Sequence, residues 1–169
     1  MRYGLVGSEM CIRDSNPDAR SIELKNEVMG EGVRFVAAHE VGHAIGLPHN
    51  MGSSSAYPVD SLRSKTFTKK FGTAPSIMDY ARWNYVAQPG DEGVALMPSY
   101  WDTPNIGLYD KYSIMWGYKP ILGVSAEEEK KILQSWILEK QNDLTYRYGD
   151  PGIDPSSQTE DLGLSLIHI

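Results

Sequence analysis

The chain has 169 residues, 41% hydrophobic and 22% charged, with a formal net charge of −6. That is about one domain's length, too apolar for a disordered chain and without the basic clusters that phosphate binding needs, so no nucleic-acid partner is expected. No apolar run approaches about 18 residues, which excludes a membrane-spanning helix, and a single cysteine excludes a disulfide scaffold or a cysteine-rich zinc ribbon.

Both ends read as translated adapter DNA. Residues 10–15 are MCIRDS and residues 164–169 are LSLIHI. ATG TGT ATA AGA GAC AG encodes the first string, and its reverse complement, CTG TCT CTT ATA CAC AT, encodes the second. An inverted pair of this kind is what a transposase-inserted sequencing adapter leaves. Its upstream continuation, CTC GTG GGC TCG GAG, encodes residues 5–9. Residues 1–15 and 164–169 are therefore expected to be adapter, and residues 16–163 a piece of a longer protein, and the ends are set aside from fold reasoning. On that reading Cys11 and His168 are not native, and the native histidines are His39, His43 and His49.

Residues 16–26 are polar and read as a connection or short strand entering a helix. Over 27–45, Met29, Val33, Val36 and Ala37 recur at helical spacing and predict a helix with that face packed inward. Gly30, Gly32 and Gly42 each cost such a helix about 1 kcal/mol against Ala. Tertiary packing must therefore hold it, and the glycines suit close approach of another backbone. Gly46 and Pro48 stop it. Residues 51–75 read as a long irregular segment with a short helix near 59–64. Residues 74–91 read as a tight turn followed by an extended aromatic stretch. A helix is expected from Asn105 to Trp116, closed by Gly117. Ser125 with Glu128 forms a capping box that opens another to about Asn142, with Ile132, Leu133, Trp136 and Ile137 on one face. The Glu127-Glu128-Glu129-Lys130-Lys131 run reads as a solvated surface. Residues 146–163 are expected to be extended.

The chemistry concentrates in residues 39–50, HEVGHAIGLPHN. H-E-x-x-H-x-x-G-x-x-H arises by chance in a chain this long with a probability of about 10⁻⁵, given ordinary residue usage. Residues four apart on a helix lie one above the other, so His39 and His43 can point two imidazoles at one ion. A third ligand from the same straight helix would arrive at the wrong height. Gly46 lets the chain turn back, bringing His49 to the same point. Three imidazoles with an open fourth position suit catalytic Zn²⁺, whereas a closed structural site would want a fourth ligand, usually Cys, and the native piece has no cysteine. Glu40, about 100° round the helix from His39, can flank the metal without ligating it and serve as general base and acid.

The pattern resembles the metzincin zinc peptidases. That resemblance implies a methionine on a tight turn beneath the metal. Ser76-Ile77-Met78-Asp79-Tyr80 stands where such a Met-turn would, with Met78 as a supporting floor. In some members the tyrosine two places on touches the metal or the oxyanion; for Tyr80 that role and plain packing are both open. The strings YPVDSLRS (57–64), APSIMDYARWNYVAQPGD (74–91) and YDKYSIMWGY (109–118) are similar to a family of large bacterial zinc-dependent metalloproteases. This implies export to the periplasm, cell surface or medium, and further domains in the parent chain. It also implies an upper sheet subdomain, lying before the active-site helix, most of which is absent here.

The expected fold is α+β, mostly α: part of a metzincin-like catalytic domain with a long active-site helix, a Met-turn and C-terminal helices. The expected activity is zinc-dependent endopeptidase action on a peptide or protein substrate, with His39, His43 and His49 holding Zn²⁺, Glu40 catalytic, and Gly46, Met78 and Tyr80 in support. With half the cleft missing, residues 16–163 alone are expected to be weak or inactive. The rivals are a zinc amidase or deacylase, and a zinc-stabilised module that grips peptide without cutting it. The intact Glu40 argues against the last.

Overall fold

The computed structural model describes residues 26–81, 83–98, 106–150, 152–153 and 162–163. Five α-helices occur among them: α1 (Asn26–Ala44), α2 (Val59–Leu62), α3 (Lys65–Phe71), α4 (Leu108–Tyr118) and α5 (Ala126–Lys140). Short 3-10 turns lie at Ser53–Ser55 and Leu144–Tyr146. No strand is present among the described residues, whose regular structure is helical, as the sequence implied. Residues 16–25 of the expected connection, and residues 151 and 154–161 of the segment expected to be extended over 146–163, lie outside the described residues.

Helix α1 forms over nearly the span expected, but with the opposite face inward. Val33, Val36 and Val41 are 70%, 54% and 61% exposed, and Met29 is exposed too, while Phe35, His39 and Gly42 are buried. The buried stripe consists of an aromatic ring, an imidazole and small residues. A count of aliphatic positions passes over such a stripe and settles on the valines.

Residues 51–75 are more regular than their composition suggested. Ser64 caps α3 by accepting from the Phe67 amide at 3.3 Å, and the helix ends at Gly72, whose amide donates to Thr68 O at 2.8 Å. The N-cap serine and the Phe67–Phe71 spacing were the available signals for this helix. Both rings lie against a core of Tyr57, Leu62, Ala74, Ala81, Val86 and Leu162.

The aromatic stretch after residue 80 is a chain of turns and bends, not an extended strand. Buried Asn84 explains how it is held without a ladder. Its side-chain amide donates to Leu62 O at 2.9 Å and Ala95 O at 3.1 Å, and its backbone amide donates to Leu96 O at 2.9 Å. One amide side chain thus satisfies carbonyls that a partner strand would otherwise have covered.

Helix α4 starts at Leu108 and runs through Gly117 to Tyr118. Pro120, which disfavours helical geometry at Lys119, is the stop, not Gly117. Helix α5 opens on the expected capping box: the Ser125 amide donates to Glu128 Oε2 at 2.8 Å, and the Glu128 amide to Ser125 Oγ at 3.4 Å. The Ser125 amide and the Ser125 hydroxyl, both donating to Glu128 Oε2, hold that carboxyl below the usual carboxylate range. No residue of α5 is buried: Ile132, Leu133 and Trp136 are half-covered and Ile137 is exposed.

A second core, of Phe35, Leu47, Ile77, Met78 and Met97 with Trp83 and Ile114 against it, lies beneath the inner face of α1. It carries the histidines.

Candidate metal centre

The end of α1 shapes the site. Leu47 N donates to Gly42 O at 3.0 Å and Gly46 N to His43 O at 2.9 Å. This crossed pair is the Schellman closure, and it needs a left-handed residue at Gly46, which has φ 86°. Tyr118 of α4 donates its hydroxyl to Ile45 O at 2.6 Å and steadies the bend. The reversed chain then returns His49 towards His39 and His43.

The three histidines converge. One ligating atom from each can be chosen so that all lie within 4.8 Å of one another. His43 Nε2 and His49 Nε2 are 3.0 Å apart. Two nitrogens each about 2.0–2.1 Å from a tetrahedral zinc would be about 3.3 Å apart, so the spacing fits one shared ion.

The other ring nitrogens settle which atoms face it. His39 Nδ1 lies 2.7 Å from Ile77 O, and His43 Nδ1 lies 3.0 Å from Leu47 O. A carbonyl only accepts, so both Nδ1 atoms carry the proton and both Nε2 lone pairs are left for a cation. Burial, then the neighbouring charges of His43 and His39, hold His49 below the ordinary histidine pKa. That favours the neutral imidazole a metal requires.

The segment 76–80 is a turn beneath the rings. Met78 is fully buried, and a Cβ on Gly42 would fall inside the radius of its Sδ. The close approach at Gly42 is that of the Met78 side chain, not of the backbone anticipated from the helix glycines. Replacing Gly42 by Ala should gain about 1 kcal/mol of helix propensity but lose about 1–3 kcal/mol to overpacking. Thermal unfolding of Gly42→Ala should show net destabilisation and zinc titration a weaker site; a stabilised variant would contradict this packing.

Tyr80 is 51% exposed, so it is not a core tyrosine. Its ring stacks 5.5 Å from that of His39 and meets that of His49 edge-on at 4.7 Å. Glu40 is exposed beside His39, and its carboxylate accepts no hydrogen bond among the described residues. Its charge acts on His49.

Sequence reasoning missed the residues that brace this turn. Asn50 N donates to Met78 O at 2.9 Å. The Asn50 side chain donates to Arg147 O at 3.0 Å and accepts from Gly149 N at 2.9 Å. Buried Asp79 accepts from Ser54 N at 2.7 Å and Ser53 Oγ at 3.3 Å. Buried Asp110 accepts from Ser76 Oγ at 2.6 Å and from Ile77 N at 2.9 Å. Burial pushes the Asp110 carboxyl above the usual carboxylate range, against the pull of its donors. An acid three residues after Gly107, in the first turn of a helix carrying four aromatic residues, was the one available signal for Asp110.

Fold and site together bring three histidines close enough to hold one metal ion, with buried Met78 packed beneath α1 and exposed Glu40 next to His39 in the chain. The chain belongs to the Met-zincin family, whose profile matches residues 21–168. Membership implies zinc binding, and the three histidines are a group that could hold a metal ion. No curated protein and no solved structure matches the chain.

Proposed function

We propose that the chain is the catalytic part of a zinc-dependent endopeptidase. The observation that carries this reading is the pairing of two Nδ1 donors, fixed on Ile77 O and Leu47 O, with a third histidine brought back by Gly46. His39, His43 and His49 would hold the ion. Bound Zn²⁺ supplies polarisation of the scissile carbonyl and a water acidic enough to ionise near pH 7.

Glu40 does the proton work. Its exposed carboxylate takes a proton from the attacking water as the carbon–oxygen bond forms. It returns that proton to the amide nitrogen as the carbon–nitrogen bond breaks, so the amine leaves neutral. Tyr80 offers its hydroxyl to the oxygen on which charge develops; its stacking on His39 and its exposure support that role. Export of the longer parent chain belongs to the same reading and rests on the family resemblance.

The test is peptide cleavage by that parent protein alongside its metal content. Zinc near one ion per chain and new peptide N-termini are expected, with cleavage lost on chelation and restored by added zinc. Cleavage of acylated small molecules but not of peptides would favour an amidase or deacylase. Full zinc occupancy with no cleavage of either would favour a binding module, and chelator-insensitive cleavage would overturn the mechanism.

A further inference from the structure

Asp110 is a fully buried carboxylate on α4 that the proposed chemistry does not use. Its Oδ1 accepts from Ser76 Oγ at 2.6 Å, and its Oδ2 from Ile77 N and Gly107 N, both at 2.9 Å. Ser76 Oγ in turn accepts from Met78 N at 3.0 Å. One carboxylate therefore fixes Ser76, Ile77 and Met78, the three residues under the imidazoles. Ile77 is held from both sides, by Asp110 at its amide and by His39 Nδ1 at its carbonyl, 2.7 Å away.

The backbone allows little slack in this linkage. Tyr109 N donates to Pro75 O at 3.0 Å. A Cβ on Gly107 would overlap the Pro75 carbonyl, so the start of α4 sits directly on the entrance to the turn. His39 is aimed by a carbonyl, and that carbonyl is placed by a carboxylate on a helix about seventy residues further along the chain.

We infer that Asp110 is a positioning residue for the metal centre: through Ser76 and Ile77 it sets the orientation of the His39 ring. The inference rests on the reading of His39 as a metal ligand. A group that orients a ligating histidine typically governs metal affinity by about 10–100-fold. A residue that merely stabilised the fold would not change the geometry around the ion.

The experiment compares Asp110→Ala and Asp110→Asn with Leu62→Ala in the full chain. Leu62 is equally buried but belongs to the other core, which includes none of residues 76–80. Zinc affinity is measured by chelator competition, and site geometry from the visible absorption of the Co²⁺-loaded chain. Asp110→Ala should weaken zinc binding by about 10–100-fold and shift the Co²⁺ bands. Asp110→Asn keeps the side-chain volume and gives the same test in a chain with less disturbed packing; a loss of about tenfold is expected. Leu62→Ala should lower the melting temperature and leave zinc affinity and the Co²⁺ spectrum close to those of the unsubstituted chain. Unchanged zinc affinity in both Asp110 variants, or an equal loss in Leu62→Ala, would overturn the inference. An unsubstituted chain that binds no zinc would overturn the histidine reading itself, and this inference with it.

Discussion

Replacing Glu40 by Gln should leave zinc in place and remove hydrolysis. The substitution keeps the side chain's length and takes away only its ability to accept and return a proton. Glu40 is exposed and accepts no hydrogen bond among the described residues, so no framework contact is broken. Surface changes of this kind usually move stability by less than about 0.5 kcal/mol. Positioned general acid–base groups contribute about 10²–10⁴-fold to rate, so the rate should fall by at least about 100-fold at unchanged zinc content. Peptide turnover and metal analysis on the same preparation decide it. Turnover near the original rate would mean that another group removes the proton and that Glu40 is a solvated helix residue.

The convergence of the three histidines was legible because the pattern that produces it is local. His39, His43 and the Gly46 turn are related by helix geometry alone, and the Schellman bonds at Gly42 and His43 are what that spacing requires. The capping box of α5 was legible for the same reason. What could not be read was non-local. The inward face of α1 is chosen by what Phe35 and Gly42 meet, namely the core beneath the helix and Met78, and nothing in 26–44 states that. Asn84 holds a strandless segment by bonds to residues 11 and 22 positions away. Asp110 reaches back 33 residues to Ile77. A buried polar residue that braces a distant turn looks, in a sequence, like any polar residue on a helix.

The histidines differ in how they are built into the fold, and their substitutions should separate accordingly. His39 is 5% exposed and carries the only donor to Ile77 O among the described hydrogen bonds. In His39→Ala the ion loses a ligand and a buried carbonyl loses its partner, at a cost of about 1–3 kcal/mol for the unsatisfied group. At about 2–4 °C per kcal/mol for a chain of this size, the metal-free variant should melt measurably lower. His49 is half-buried on the returning loop, and its Nδ1 makes no framework bond among the described residues. His49→Ala should therefore abolish tight zinc binding while leaving the metal-free melting temperature almost unchanged. In both variants the rise in melting temperature on adding zinc should vanish, because a ligand stabilises only the state that binds it. Calorimetry with and without zinc on the two variants reads all of this. Equal loss of metal-free stability in both would show that the Ile77 bond contributes nothing to the fold. Zinc-induced stabilisation persisting in either would remove that histidine from the ligand set.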